Sequence, residues 1–304
     1  MTNANTQWQE INLSCQAHAT KIIEDWLFAQ GALSVTYQDG GGQPILEPKA
    51  GQTPLWQRVV VTALFDQDHD ISKLIQRALD ALADYLEDQP TTRLFDDQDW
   101  QASFQQSFEP IAFGDGLWIC PSWHTPPDHA HTVLKLDPGL AFGTGSHPTT
   151  ALCLSWLEQH IQSTDTVIDY GCGSGILAIA AKKLGAQQVI AIDNDPQAIQ
   201  ATLENAEKND LSGQIQAYLP QNAPEILPQA DIVIANILAN ILIDLAPTFD
   251  QSLKSTGTLV LSGILDNQIT SIKRAFDSYH IPLNQQQRQG EWYLLSGQRS
   301  VNKN

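Results

Sequence analysis

Asp169-Tyr170-Gly171-Cys172-Gly173-Ser174-Gly175 sets three glycines at alternate positions behind an acidic residue. Apolar Val167-Ile168 precedes the run, and Ile176-Leu177-Ala178-Ile179-Ala180-Ala181 follows it with helical character. A strand feeding a glycine turn that opens a helix is how α/β sheets bind nucleotide-like cofactors. Glycine admits positive φ and lets a ligand approach the main chain closely. A dinucleotide fold asks for G-x-G-x-x-G. Counted from Gly171, its last glycine would fall on Ile176, and from Gly173 only the looser form ending in Ala178 fits. A nicotinamide oxidoreductase is therefore disfavoured. About 20 residues further on, these folds place an acidic residue that holds a ribose. Gln188-Val189-Ile190-Ala191-Ile192 reads as a buried strand ending in Asp193, which we expect to take that role. Asp195 precedes Pro196 and reads as the N-cap of the next helix.

A second dense segment runs from Asp137 to Thr150. It carries three glycines and the hydroxyls of Thr144, Thr149 and Thr150, and a helix is expected to start near Pro148. Helix N-termini favour carboxylates, so an amino-acid tail could lie there. His147 reads as a cap or a core residue. In a third segment, Asp231-Ile232-Val233-Ile234-Ala235-Asn236, a buried strand ends in Asn236, at the sheet edge where ligands sit. An asparagine there either contacts a ligand or merely caps the next helix. The Asp-x-Gly-x-Gly-x-Gly spacing resembles the first motif of the S-adenosylmethionine-dependent methyltransferases with a Rossmann-like fold. That cofactor has a cationic sulfonium and an amino-acid tail but no pyrophosphate, which gives Asp169 a use. Many amine methyltransferases carry Asn-Pro-Pro-Tyr at the third position. Here Asn236-Ile237-Leu238-Ala239 keeps the asparagine and lacks the stacking aromatic, which favours a flexible aliphatic amine over a nucleobase.

These segments need a scaffold. The 304 residues suffice for two cores. Over the first 95, the patterning predicts β-α-β-β-α-β, a ferredoxin-like α+β domain. It has a helix over 19–30 stopped by Gly31, a strand over 58–65 and an amphipathic helix over 71–86. Nothing in it looks catalytic, and it reads as a recognition module. Residues 96–110 are polar, with Trp100, Phe104 and Phe108 at helical spacing, and predict a linker helix. From Leu117 onward, strands at 117–120, 133–136, 167–170, 188–193, 214–219, 231–235 and 258–262 alternate mostly with helices, which implies a mainly parallel sheet. Two last strands, 283–288 and 292–296, flank Gln289-Gly290 and can only pair antiparallel.

A net charge of −18 argues against binding a phosphate backbone and would favour encounter with a basic partner. The four cysteines form no C-x-x-C pair, His129 and His131 are weak evidence for a metal, and we expect none. The polar stretch Met1-Thr2-Asn3-Ala4-Asn5 and the lack of a long apolar run predict a cytoplasmic protein away from membranes.

Residues 117–121, the stretch Gly143-Thr144-Gly145-Ser146-His147-Pro148-Thr149-Thr150, the glycine run, Ile192-Asp193-Asn194-Asp195-Pro196-Gln197-Ala198 and Ala235-Asn236-Ile237-Leu238-Ala239 together resemble the bacterial ribosomal protein L11 methyltransferase (PrmA) family. The resemblance is close through about residues 98–300. It implies a Rossmann-like class I methyltransferase domain over 111–304, joined by a linker at 96–110 to a substrate-holding domain over 1–95. It also implies transfer of methyl groups from S-adenosylmethionine to lysine side chains and an N-terminal α-amine of that ribosomal protein. Cofactor contacts would fall on Thr150, Gly171, Asp193 and Asn236. Asp169, Gly173, Gly175 and Thr144 join them on the reading of the residues. Asn236 is expected to orient a neutral amine, no general base stands out, and the third strand ends in Tyr218-Leu219-Pro220 with no acid for the adenine amine. We expect a monomer without direct nucleic acid binding.

Overall fold

A computed structural model of the chain describes residues 7–42, 45, 54–96, 108–137, 147–224 and 227–300. The chain divides into two compact units, residues 1–107 and 108–304. The break falls within the segment expected to join the halves; Trp100 and Phe104 lie outside the described residues.

In the first unit, β1 (Gln7–Gln16), α1 (Thr20–Ala29), β2 (Ser34–Asp39), β3 (Arg58–Asp66), α2 (Ile71–Leu82) and β4 (Thr91–Asp96) follow the expected succession. The sheet order is β2-β3-β1-β4, antiparallel throughout. Alternation along the strands sends Ile11, Leu13, Cys15, Val59, Val61, Ala63 and Phe65 to one face. There they meet Ile23 and Leu27 of α1 and Leu74, Ala78 and Leu82 of α2. Asp70 caps α2 by accepting from the Lys73 N–H. That helix ends at Leu82, short of the expected Leu86. Leu86 instead pairs with Cys15 in an isolated antiparallel bridge, because the sheet edge offers its backbone a partner that a further helical turn would forgo.

The second unit opens with a small sheet: β5 (Ile111–Phe113), β6 (Leu117–Cys120) and β7 (Thr132–Lys135). β5 was not anticipated. Residues 117–120 and 133–136 were expected to belong with the main α/β alternation and do not. β5 turns back through Gly114 (φ 62°) onto β6, which takes β7 as its parallel neighbour and so occupies both of its edges locally.

The main sheet has seven strands: β8 (Thr166–Tyr170), β9 (Gln188–Ile192), β10 (Ile215–Tyr218), β11 (Ala230–Asn236), β12 (Leu253–Leu265), β13 (Gln285–Gln289) and β14 (Trp292–Gln298). Their order is β10-β9-β8-β11-β12-β14-β13, parallel from β10 to β12 and antiparallel through β14 and β13. The order reverses between β8 and β11, the crevice where open α/β sheets receive ligands. Runs such as Val167-Ile168 and Ile232-Val233-Ile234 are apolar on both faces because helices cover both. One core joins the sheet to α3 (Pro148–His160) and α4 (Ile176–Lys183); the other joins it to α6 (Ala239–Asp244), α7 (Ala246–Ser252) and α8 (Ile269–Asp277). α5 (Pro196–Lys208) follows β9. Among the described residues, no helix is long and apolar enough to cross a membrane.

Candidate active site

Three elements meet where the strand order reverses. The first is the glycine loop. Gly171, Gly173 and Gly175 have φ of 81°, 53° and 77°, the left-handed region that side chains avoid. Space forbids a side chain at two of them as well. A Cβ on Gly171 would lie 2.3 Å from Ile237 Cγ2, and one on Gly175 would lie 2.8 Å from Thr202. The loop is tied to the end of β9: the N–H groups of Gly171 and Cys172 both donate to Ile192 O, at 2.7 and 3.1 Å. Helix α5 clamps it from the other side. Thr202 Oγ1 donates to Gly173 O (3.1 Å), and Asn205 Nδ2 donates to Ser174 O (2.9 Å).

Two carboxylates flank this loop. Asp193 follows β9; its Oδ2 accepts from Gly173 N–H (2.9 Å) and its Oδ1 from Asp195 N–H (3.0 Å). Each oxygen keeps a second lone pair, and the residue is only half-buried, so it can still accept from a ligand's hydroxyls. Asp195 caps α5 by accepting from Gln197 N–H (2.8 Å), with Pro196 in the first turn, as its sequence position suggests. Asp169 is fully buried near the end of β8. Its Oδ2 accepts from Ala178 N–H (3.0 Å), and its Oδ1 has no partner. Burial pushes this carboxyl up to about 7, and the charge of Asp193 adds to the effect.

The third element is the end of β11. Asn236 is its last residue, and its Nδ2 donates to Oγ1 of Thr150, 3.2 Å away on buried α3. It does not cap the next helix: Leu238 holds the N-cap position of α6. His147 is the N-cap of α3, accepting from Thr149 N–H (3.4 Å), and burial lowers its pKa. Its ring meets Trp292 edge-on, with centroids 5.2 Å apart.

The structure thus gathers Asp169, Gly171, Gly173, Gly175, Asp193, Thr150 and Asn236 at one edge of the sheet. Thr144 lies outside the described residues. Three contributors escaped sequence reasoning. Gly263 interrupts β12 at φ 82°, and a Cβ there would lie 2.5 Å from Ile237 O, so it lets the loop after Asn236 close down. Ser262, fully buried, donates to Thr149 O (3.2 Å) and fixes the start of α3. Thr202 belongs to the inward face of α5, together with Ala198 and Ala206. A glycine inside a strand and a threonine on an apolar helical stripe were the available signals. No group of acidic, histidine or cysteine side chains able to hold a metal occurs among the described residues.

S-adenosylmethionine fits this set. The orphaned, buried Asp169 Oδ1 wants a donor or a cation, Asp193 has acceptor capacity for ribose hydroxyls, and the glycines leave the main chain approachable.

A family model described as ribosomal protein L11 methyltransferase (PrmA) matches residues 7–300. A ribosomal protein L11 methyltransferase of Shewanella sp. (strain ANA-3) is 45% identical over 294 residues, covering 96% of this chain and 99% of that protein. One of Vibrio campbellii (strain ATCC BAA-1116) is 46% identical over 300 residues with the same coverage. The crystal structure of a ribosomal protein L11 methylase from Lactobacillus delbrueckii subsp. bulgaricus is 36% identical. It covers 64% of this chain and 100% of its own, with a TM-score of 0.59. Sequence, fold and site agree, and the chain belongs to the ribosomal protein L11 methyltransferase (PrmA) family of S-adenosylmethionine-dependent enzymes.

Proposed function

We propose that this enzyme methylates amines of ribosomal protein L11, namely lysine side chains and the N-terminal α-amine. The observation that carries the reading is Asn236, set at the end of β11 and held by Thr150, with no aromatic behind it. Bound, S-adenosylmethionine supplies a methyl group on a sulfonium, already activated for transfer. Asp193 would hold the ribose, Asp169 and the start of α3 the methionine end, and the glycine loop would line the space between.

The chain's own task is then alignment and desolvation. The nucleophile must be a neutral amine. Its lone pair would take up the methyl group, and the proton that the amine then sheds would leave to water. With its Nδ2 engaged by Thr150, Asn236 presents its oxygen to an amine N–H and so aims the lone pair. Residues 1–95 would recognise the protein substrate, 96–110 would link, and 111–304 would catalyse. The excess of acidic residues suits a basic protein partner, with no direct contact to nucleic acid, for a monomer in the cytoplasm.

The test is incubation with methyl-labelled S-adenosylmethionine and purified L11, followed by peptide mass spectrometry. Methyl groups on lysine and on the N-terminus support the proposal. Label on RNA alone, or on oxygen or sulfur side chains, would overturn it.

A further inference from the structure

We propose that Leu238 and Ile241 form an apolar ledge for the methylene stem of a lysine substrate, and so decide how well lysine competes with the α-amine. The inference rests on the lysine and α-amine reading above. Helix α6 buries Ala239 and Leu242, yet leaves Leu238 50% and Ile241 40% exposed. Among the described residues of the second unit, Leu203 is the other large hydrophobic so placed. Isolated exposed leucines are ordinary. These two are not isolated: they stand together on one turn, two and five positions after Asn236. The residue between is pinned. Ile237 fills the place of a Gly171 side chain with its Cγ2 and that of a Gly263 side chain with its carbonyl oxygen. The ledge therefore begins from a backbone fixed by both the cofactor loop and β12.

A lysine brings four methylenes to Asn236 and gains from an apolar surface along them. An α-amine has no such stem. The same surface disfavours the ammonium form, which matters most for lysine, whose reference pKa of about 10.4 leaves little neutral amine near pH 8. The stacking aromatic's position holds the buried Ala239, and the exposed aliphatic side chains on either side of it, Leu238 and Ile241, suit a flexible, aliphatic nucleophile.

The experiment uses the full chain carrying Leu238→Ser and Ile241→Ser together, with L11 and saturating S-adenosylmethionine, each modified amine being quantified separately. Lysine methylation at pH 8 is expected to fall about tenfold, the equivalent of one pKa unit in neutral amine, while α-amine methylation changes less than about twofold. The lysine deficit should narrow toward pH 10. S-adenosylhomocysteine affinity should stay unchanged, and Leu238→Met with Ile241→Met should restore the lysine rate. Equal loss at both amines, or no loss at either, overturns the ledge. Failure of the unaltered enzyme to methylate any amine would instead overturn the function proposed above.

Discussion

The loop after β8 and the loop after β11 border the same crevice but are built on different principles. The first is held by its backbone. Three residues sit at positive φ, two N–H groups share Ile192 O, and Asp193, Thr202 and Asn205 each bond to its main chain. The second is held by shape. Ile237 is wedged between two glycines, and the side chain of Asn236 bonds to Thr150. A loop that offers N–H groups and carboxylates is a mould for a polar cofactor. A loop that offers one amide and aliphatic side chains suits the proposed amine. Substitutions in the first should alter cofactor affinity, and those in the second should alter turnover.

The sharpest way to break this division is Asn236→Ala. It removes the group proposed to aim the amine, and kcat at saturating cofactor is expected to fall about 100-fold, the scale seen when one preorganised polar contact at a reacting centre is lost. S-adenosylhomocysteine affinity, read by calorimetry, should weaken far less. Full activity at saturating cofactor would remove Asn236 from the reaction. On the other side, Asp193→Ala deletes a charged acceptor. Hydrogen bonds to charged groups contribute about 1.5–3 kcal/mol, so the cofactor Kd should rise about 10- to 150-fold with kcat nearly preserved. If Asp193→Ala instead acts on kcat alone, the two loops do not divide the work as described.

The same contrast explains what could be read from the sequence. Glycines at alternate positions, an acid at a strand end and a proline behind Asp195 are local demands of backbone and capping, so the residues that meet them stand out. Asn236 was visible through its place at the end of an apolar strand. The β-α-β-β-α-β succession was legible because alternation and helical periodicity are local too. Pairing is not local. Leu117–Cys120 and Thr132–Lys135 have strand composition, but nothing within them says that they form a separate sheet, with Leu117–Cys120 between Ile111–Phe113 and Thr132–Lys135, rather than join the large one. Ser262 and Thr149 are separated by 113 positions, and no short pattern links them. Gly263 stands in a strand interior, and the residue it accommodates, Ile237, belongs to a different strand's loop.

Asp169 sharpens the comparison through pH. Its carboxyl sits at about 7 because of burial, while its ordinary value is near 3.8. A cation beside Oδ1 requires the ionised form. The cofactor's affinity should therefore rise about tenfold from pH 6 to pH 8, as the ionised fraction grows from about a tenth to about nine-tenths. For folding the sign runs the other way. The native state holds this proton more tightly than the unfolded chain, so the contribution of Asp169 to stability is present at low pH and is lost as pH rises toward about 7. Asp169→Asn should flatten both curves. Thermal melts of the free protein between about pH 4 and 8 and calorimetric titrations at pH 6, 7 and 8 would show it. An affinity that stays level across that range in the unaltered enzyme would separate Asp169 from the cofactor.

The smallest effect expected lies behind the glycine loop, at Thr202. Thr202→Val keeps the side chain's bulk against Gly175 and deletes the Oγ1 bond to Gly173 O. A hydrogen bond of this kind contributes about 1 kcal/mol, which in a unit of this size lowers the melting temperature by about 2–4 °C. The informative quantity is how that loss divides. Gly173 O and Gly173 N belong to one residue, and the N–H is bonded to Asp193. If the clamp from α5 sets the loop for the cofactor, S-adenosylhomocysteine affinity should fall about threefold as well, and kcat at saturation should not move. A lower melting temperature with unchanged affinity would mean that Asp193, Ile192 and Asn205 hold the mould, and that Thr202 supports the fold without shaping the site.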